Sequence, residues 1–178
     1  AIVLGNSTVT GAYTVTATAE GGITDFTGDM LDITGAATFT AAGGQSIYLN
    51  ESNIFSGTVA FTTPSGNLAN VTINDSGGTT TTGAFVLAAL TLTGNLSVTA
   101  GGAVTNSGTL AIPGTTTISA AGQDVTLNSA NNNFTGAVSI DGEDVGVTDT
   151  TGIILGTSTV TGTTTGYDIT AGGTVTQY

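Results

Sequence analysis

The chain has 178 residues and a formal net charge of −12, with 12 Asp and Glu and no Lys, Arg, His, Cys or Trp. With no cationic side chain to replace counterions or meet anionic lipid, nucleic acid and an anionic membrane are excluded as partners. With no His, Lys or Cys, the usual means of activating a nucleophile are missing, as are disulfides, Cys-ligated metal sites and trypsin cleavage sites.

What remains is a strand-and-turn composition. Thr numbers 40, Gly 28 and Asn 12, against only two Pro; Thr suits strands, and Gly and Asn suit tight turns. Mean hydropathy is +0.33 and charged residues are 7%, unlike a disordered acidic tail. The longest apolar run, residues 84–90, is too short to cross a membrane as a helix.

In chain order, residues 1–4 already read as a strand, with no initiator Met and no leader, so the chain reads as a processed product or a fragment of something longer. Residues 13–16, 31–34, 37–40 and 47–50 alternate apolar and polar, the period of two of a half-buried strand. Gly, Asn or Asp separates most of these segments, and no window has helical spacing.

Internal repetition is the strongest signal. Residues 4–11 and 155–162 are identical at seven of eight positions, with a looser middle copy at residues 90–94. Gly-Gly turns follow at 21–22, 101–102 and 172–173. Residues 49–59 match 127–138, placing Phe55 with Phe134, Asn50 with Asn128 and Asn53 with Asn132; residues 71–75 echo 145–149. The large repeats are therefore 2–89, 90–152 and a partial 153–178, within one repetitive unit spanning 1–178. The finer rhythm, a strand pattern renewed about every twenty residues, predicts an all-β fold: a β-solenoid, or parallel β-helix, of about nine coils and about 43 Å. Tandem Ig-like β-sandwiches are the alternative, disfavoured by 6% aromatics and uniformly short turns. Phe55 and Phe134 are expected in the core, and the Asn residues in ladders at the turns.

Residues 96–108 (Leu-Ser-Val-Thr-Ala-Gly-Gly-Ala-Val-Thr-Asn-Ser-Gly) and 124–128 (Asp-Val-Thr-Leu-Asn) resemble the repeats of bacterial filamentous-haemagglutinin-type and autotransporter-type surface proteins. The resemblance spans the chain and is specific for architecture rather than role. It implies a right-handed parallel β-helix, secreted to the bacterial cell surface as an adhesin stalk, sheath or filament, with no fixed catalytic residues.

The expected function is accordingly structural and not enzymatic: a repeat segment of an extracellular filament, sheath or stalk, with copies of itself as partner. A glycan-binding adhesin module is an alternative, with Tyr13, Tyr48, Tyr167 and Tyr178 as candidate contacts. An ice-binding protein is another, with Thr8/Thr10, Thr14/Thr16, Thr38/Thr40, Thr91/Thr93 and Thr159/Thr161 as an array. No cofactor is required. The carboxylates have no cation to pair with, and hard cations favour clustered oxygens. Ca²⁺ is therefore the candidate ligand of Asp141, Glu143, Asp144 and Asp149, and of Asp25, Asp29 and Asp32. A carboxylate pair for glycoside hydrolysis would come from the same residues, Asp29 with Asp32 or Asp141 with Glu143 or Asp144.

Overall fold

The computed structural model describes residues 1–18, 20–77 and 83–178. Among them are 24 short strands and no helix. Sheet I contains, in spatial order, β1 (Ile2–Leu4), β4 (Ile23–Asp25), β7 (Ile47–Leu49), β10 (Val71–Asp75), β13 (Leu96–Ala100), β16 (Thr116–Ser119), β19 (Ala137–Gly142), β21 (Ile153–Leu155) and β24 (Val175–Gln177). The end of β19 also pairs with β22 (Thr159–Val160). Sheet II contains β3 (Tyr13–Ala17), β6 (Ala37–Ala41), β9 (Val59–Thr62), β11 (Phe85–Leu87), β14 (Val104–Asn106), β17 (Val125–Leu127), β20 (Val145–Asp149) and β23 (Tyr167–Ala171). Two short sheets complete the structure. Sheet III is β2 (Ser7–Val9), β5 (Leu31–Ile33) and β8 (Ile54–Phe55); sheet IV is β12 (Leu90–Thr91), β15 (Leu110–Ile112) and β18 (Asn133–Phe134).

Every pairing among these strands is parallel. The fold is a β-solenoid, and the antiparallel Ig-like alternative is set aside. One strand from each main sheet makes a turn, so there are eight turns, with β24 opening a ninth. At about 4.8 Å per turn the rod is about 38 Å long, one turn less than expected.

The period-two pattern has its expected physical origin. In β6, β10, β13 and β20 alternate residues are buried. Parallel register then stacks each inward residue on its counterpart one turn away. Ile2, Ile23, Ile47, Val71 and Leu96 form one such column in sheet I. In the first turns Phe39 is the aromatic centre, with ring centroids 5.9 Å from Phe55, 5.9 Å from Phe61 and 6.0 Å from Tyr13. Phe55 and Phe134 are both buried. The glycine of the recurrent Thr-Gly or Ser-Gly turn is a steric requirement: a Cβ on Gly35 or Gly57 would collide with the glycine carbonyl one turn below, as it would on Gly136.

The third side changes edge along the rod. The first three turns run sheet I, III, II; from β11 to β19 the order is II, IV, I, and after β20 the chain starts again on sheet I with β21. Sheet III therefore lies on the connection from I to II, and sheet IV on the opposite connection. Ten strands, β1–β10, make one large repeat, and β11–β20 make the next. Each repeat is three three-strand coils plus one extra strand, and that extra strand moves the following repeat onto the other main sheet. Thus β1, β11 and β21 are equivalent, yet lie on sheets I, II and I. This explains why residues 4–11 and 155–162 match so closely: they sit on the same side, seven turns apart, whereas the middle counterpart sits on the other sheet.

Thr116 interrupts an apolar column between Leu96 and Val138. Its hydroxyl is fully buried with no hydrogen-bond partner. A buried unpaired polar group costs about 1–3 kcal/mol, so Thr116→Val should raise the unfolding free energy in urea by about 1 kcal/mol.

Candidate functional site

Among the described residues, five polar residues besides Thr116 are buried: Asp25, Asn53, Asp75, Asn132 and Asp149. Each compensates for a place where the backbone ladder is interrupted. Asp25, at the end of β4, is buried, lies in register with Leu4 and reaches the turn above. Its carboxylate accepts from the backbone N–H groups of Asn50 (3.0 Å) and Glu51 (3.0 Å) and from Asn53 Nδ2 (2.9 Å). Asn53 in turn accepts from Leu31 N at 2.9 Å through Oδ1, and donates to Glu51 O at 2.9 Å. Asn132 repeats this device in the second repeat. Its Oδ1 accepts from Leu110 N and Asn106 Nδ2, both at 2.9 Å, and its Nδ2 donates to Leu127 O at 3.0 Å. Asn106 ends β14 as Asp25 ends β4, so an Asp–Asn clamp in one repeat is an Asn–Asn clamp in the next.

Asp75 and Asp149 end the two extra strands, β10 and β20. Sheet III stops at β8 and sheet IV at β18, so the next N–H in each ladder has no strand above it. The aspartates supply the acceptor. Asp75 Oδ1 accepts a hydrogen bond from Phe55 N at 2.8 Å, and Asp149 Oδ2 accepts one from Phe134 N at 2.6 Å. Asp149 also accepts from Thr151 N at 2.6 Å and Thr151 Oγ1 at 2.9 Å. Burial raises the Asp75 carboxyl from 3.8 to about 7, opposed by the Phe55 hydrogen bond.

The acidic residues singled out in the sequence do not come together. Asp29 accepts from Asn6 Nδ2 at 2.7 Å, and Asp32 is on the outer face of β5 while Asp25 faces inward. Asp141 accepts from Thr159 N at 2.9 Å, and Asp144 from Thr165 N at 3.1 Å and Gly166 N at 2.8 Å. Glu143 is an exposed turn residue, and Asp149 is buried in its cap. Among the described residues no three carboxylates are grouped to hold a metal ion.

Stacking instead creates surface grooves that the linear order hides, two of which exceed 400 Å³ among the described residues. One, of about 420 Å³, lies on sheet II over Gly146, lined by Asp124, Asp144, Asp168, Thr126, Thr148 and Thr170. Gly146 leaves the outer column Thr126–Gly146–Asp168 without a side chain at its centre. The groove offers hydrogen-bond acceptors and hydroxyls and no cationic group. The other, about 450 Å³, lies on sheet I beside the exposed Tyr48, with Thr24, Gln45 and Ser46. Tyr13 and Tyr167 pack against the core, and Tyr178 is exposed.

The Thr pairs scatter. Thr14/Thr16 lie in register with Thr38/Thr40 and then Ala60/Thr62 on sheet II, where the Thr40 and Thr62 hydroxyls are 2.7 Å apart. Thr8, Thr91 and Thr159 lie on β2, β12 and β22, away from that face.

A family model described as repeats of unknown function (DUF5649) matches residues 1–62 and 68–141. The chain belongs to this repeat family. The two matched segments end at equivalent points, on β9 and β19, the ninth strand of each ten-strand repeat. No match was found among curated proteins or among solved structures.

Two expectations follow for these repeats. Asn132→Ala removes the side-chain partner of the Leu110 N–H and of the Leu127 carbonyl in the interior, while Asn106 Nδ2 keeps only Gly108 O, and should cost about 2–4 kcal/mol in urea unfolding. Asp75 titrates higher in the folded chain than in the unfolded one, so the folded state holds the extra proton between 3.8 and about 7. Stability from this group is therefore present at low pH and falls as pH rises through that window. Asp75→Asn, whose carbonyl still accepts from Phe55 N, should raise Tm by several degrees above pH 7, at about 2–4 °C per kcal/mol. Near pH 4 it should leave Tm unchanged.

Proposed function

We propose that this chain is a spacer segment of an extracellular, cell-surface filament, sheath or adhesin stalk, that its work is mechanical, and that copies of it associate end to end. The observation that carries this reading is the pair of main ladders running the length of the rod, nine strands in sheet I and eight in sheet II. A load along the axis is shared by all the backbone hydrogen bonds between two turns. A parallel ladder extends by adding a further strand at an edge, which is the way copies would join. The lack of a cationic base among the side chains speaks for structure rather than catalysis. Secretion to a bacterial surface and a role for Ca²⁺ are supported by the repeat resemblance and by the charge of −12.

A glycan-binding role is the second reading, favoured by the groove beside Tyr48, where an exposed ring adjoins Thr24, Gln45 and Ser46. The Thr columns on sheet II are only two strands (Thr14, Thr38) and three strands (Thr16, Thr40, Thr62) long, a small face for ice.

Electron microscopy of the purified chain, with Ca²⁺ and after chelation, tests the first reading. Regular fibres are expected, and their loss on chelation would place metal at the contacts. Isolated rods about 40 Å long under both conditions would remove self-association. Glycan binding that is lost in Tyr48→Ala would then carry the second reading.

A further inference from the structure

Glycine inside a strand weakens it, and it persists where a bulge, a tight approach or a ligand needs the side chain gone. Among the described residues two glycines lie inside strands, Gly142 in β19 and Gly146 in β20. Packing explains Gly142, where a Cβ would press on the side chains of Val125 and Val145. Neither backbone nor packing explains Gly146. Its φ is not positive, and a Cβ built on it meets nothing within 4 Å. The fold accepts a side chain here, because the equivalent position of the first repeat is Thr72.

The absent side chain leaves the floor of the 420 Å³ groove on sheet II, a volume suited to a small molecule. Thr126 and Asp168 flank Gly146 on the adjacent strands, and Thr148 follows two residues along β20, in register with Thr170. Two strand spacings make the floor about 10 Å across from Thr126 to Asp168. Asp124 and Asp144 line the same groove. Both are held through Oδ1: Asp124 accepts from Asp144 N at 3.2 Å, and Asp144 from Thr165 N and Gly166 N. Among the described residues no hydrogen bond occupies Oδ2 of either, or the carboxylate of the exposed Asp168. These carboxylates are spread around a rim and do not converge on a point, since no three are grouped to hold a metal ion.

Such a lining suits a ligand that is extended, rich in hydrogen-bond donors and positively charged. Phosphate, sulfate and uronic acids would be repelled. A plain polyamine would meet the carboxylates and leave the Thr hydroxyls without partners. We propose that this groove binds an amino sugar, with a pyranose ring over Gly146, its hydroxyls on Thr126, Thr148 and Thr170, and its ammonium on the carboxylates of the rim. The site is separate from the groove beside Tyr48, and its occupancy does not depend on whether copies of the chain associate.

The test is titration of the full chain with an oligomer of glucosamine, read by calorimetry and by the NMR shift of the Gly146 amide. Saturable binding is expected, weakening as salt is raised. The N-acetylated oligomer has the rings without the charge, and spermidine has the charge without the hydroxyls; each should bind about tenfold more weakly or worse. Gly146→Thr puts back the side chain of the first repeat. It should keep or raise Tm and reduce affinity for the glucosamine oligomer about tenfold or more. Asp168→Asn, at an exposed side chain, should keep the fold and weaken binding several-fold, and it decides the matter if Gly146→Thr does not fold. No binding by wild type would overturn the proposal. So would undiminished affinity in Gly146→Thr or Asp168→Asn, or equal affinity for the N-acetylated oligomer or spermidine.

Discussion

The parallel hydrogen-bond ladder between successive turns is the constraint on which everything else depends. A parallel strand is satisfied only if a like strand lies on each side of it. Stacking like on like puts each inward residue against its counterpart one turn away, so the core becomes a set of columns rather than a jigsaw of unrelated shapes. Ile2, Ile23 and Ile47 are one result, and the glycine turns are another, since adjacent turns approach too closely there for a Cβ. Any polar residue in a column has to find its partner within a turn or so. Asp25, Asn53 and Asn132 do, through backbone groups of neighbouring turns; Thr116 does not.

The chain handles 12 carboxylates without a cation by two means. Some become backbone acceptors: Asp75 and Asp149 finish ladders whose next strand is missing, and Asp144 and Asp141 hold the last coil. Others, such as Glu143 and Asp168, are left to solvent. The long faces of the rod are consequently anionic, and two rods approaching side by side repel.

The extra tenth strand gives the repeat its geometry. Three coils alone would leave each repeat on the same side as the last. One additional strand places β11 on the sheet opposite to β1 and shifts the short third side from one edge to the other. The pattern closes after two repeats and seven turns, or about 34 Å along the axis. The carboxylate ending each extra strand closes the short sheet being abandoned, so the change of edge and the buried aspartate are parts of one device.

Much of this was legible in the linear order. Alternation of Thr with Val, Ile and Leu dictates half-buried strands, the spacing of Gly turns dictates a coil of about twenty residues, and residues 4–11 and 155–162 announce the large repeat, because a stacked fold demands the same residue at the same height. Phe55 and Phe134 were readable as core for that reason. The tertiary structure alone decided which side each strand occupies. Side depends on counting strands through a whole repeat, and one extra strand changes it for every residue that follows. It also decided what the carboxylates do. Asp25 lies close in sequence to Asp29 and Asp32, but strand alternation turns it inward to Asn53. Asp124, Asp144 and Asp168 are far apart in sequence, yet parallel stacking brings them to one groove. A short-range acidic cluster predicts shared ligands only when the local backbone points the side chains the same way, and here a period of two and sharp turns point them apart.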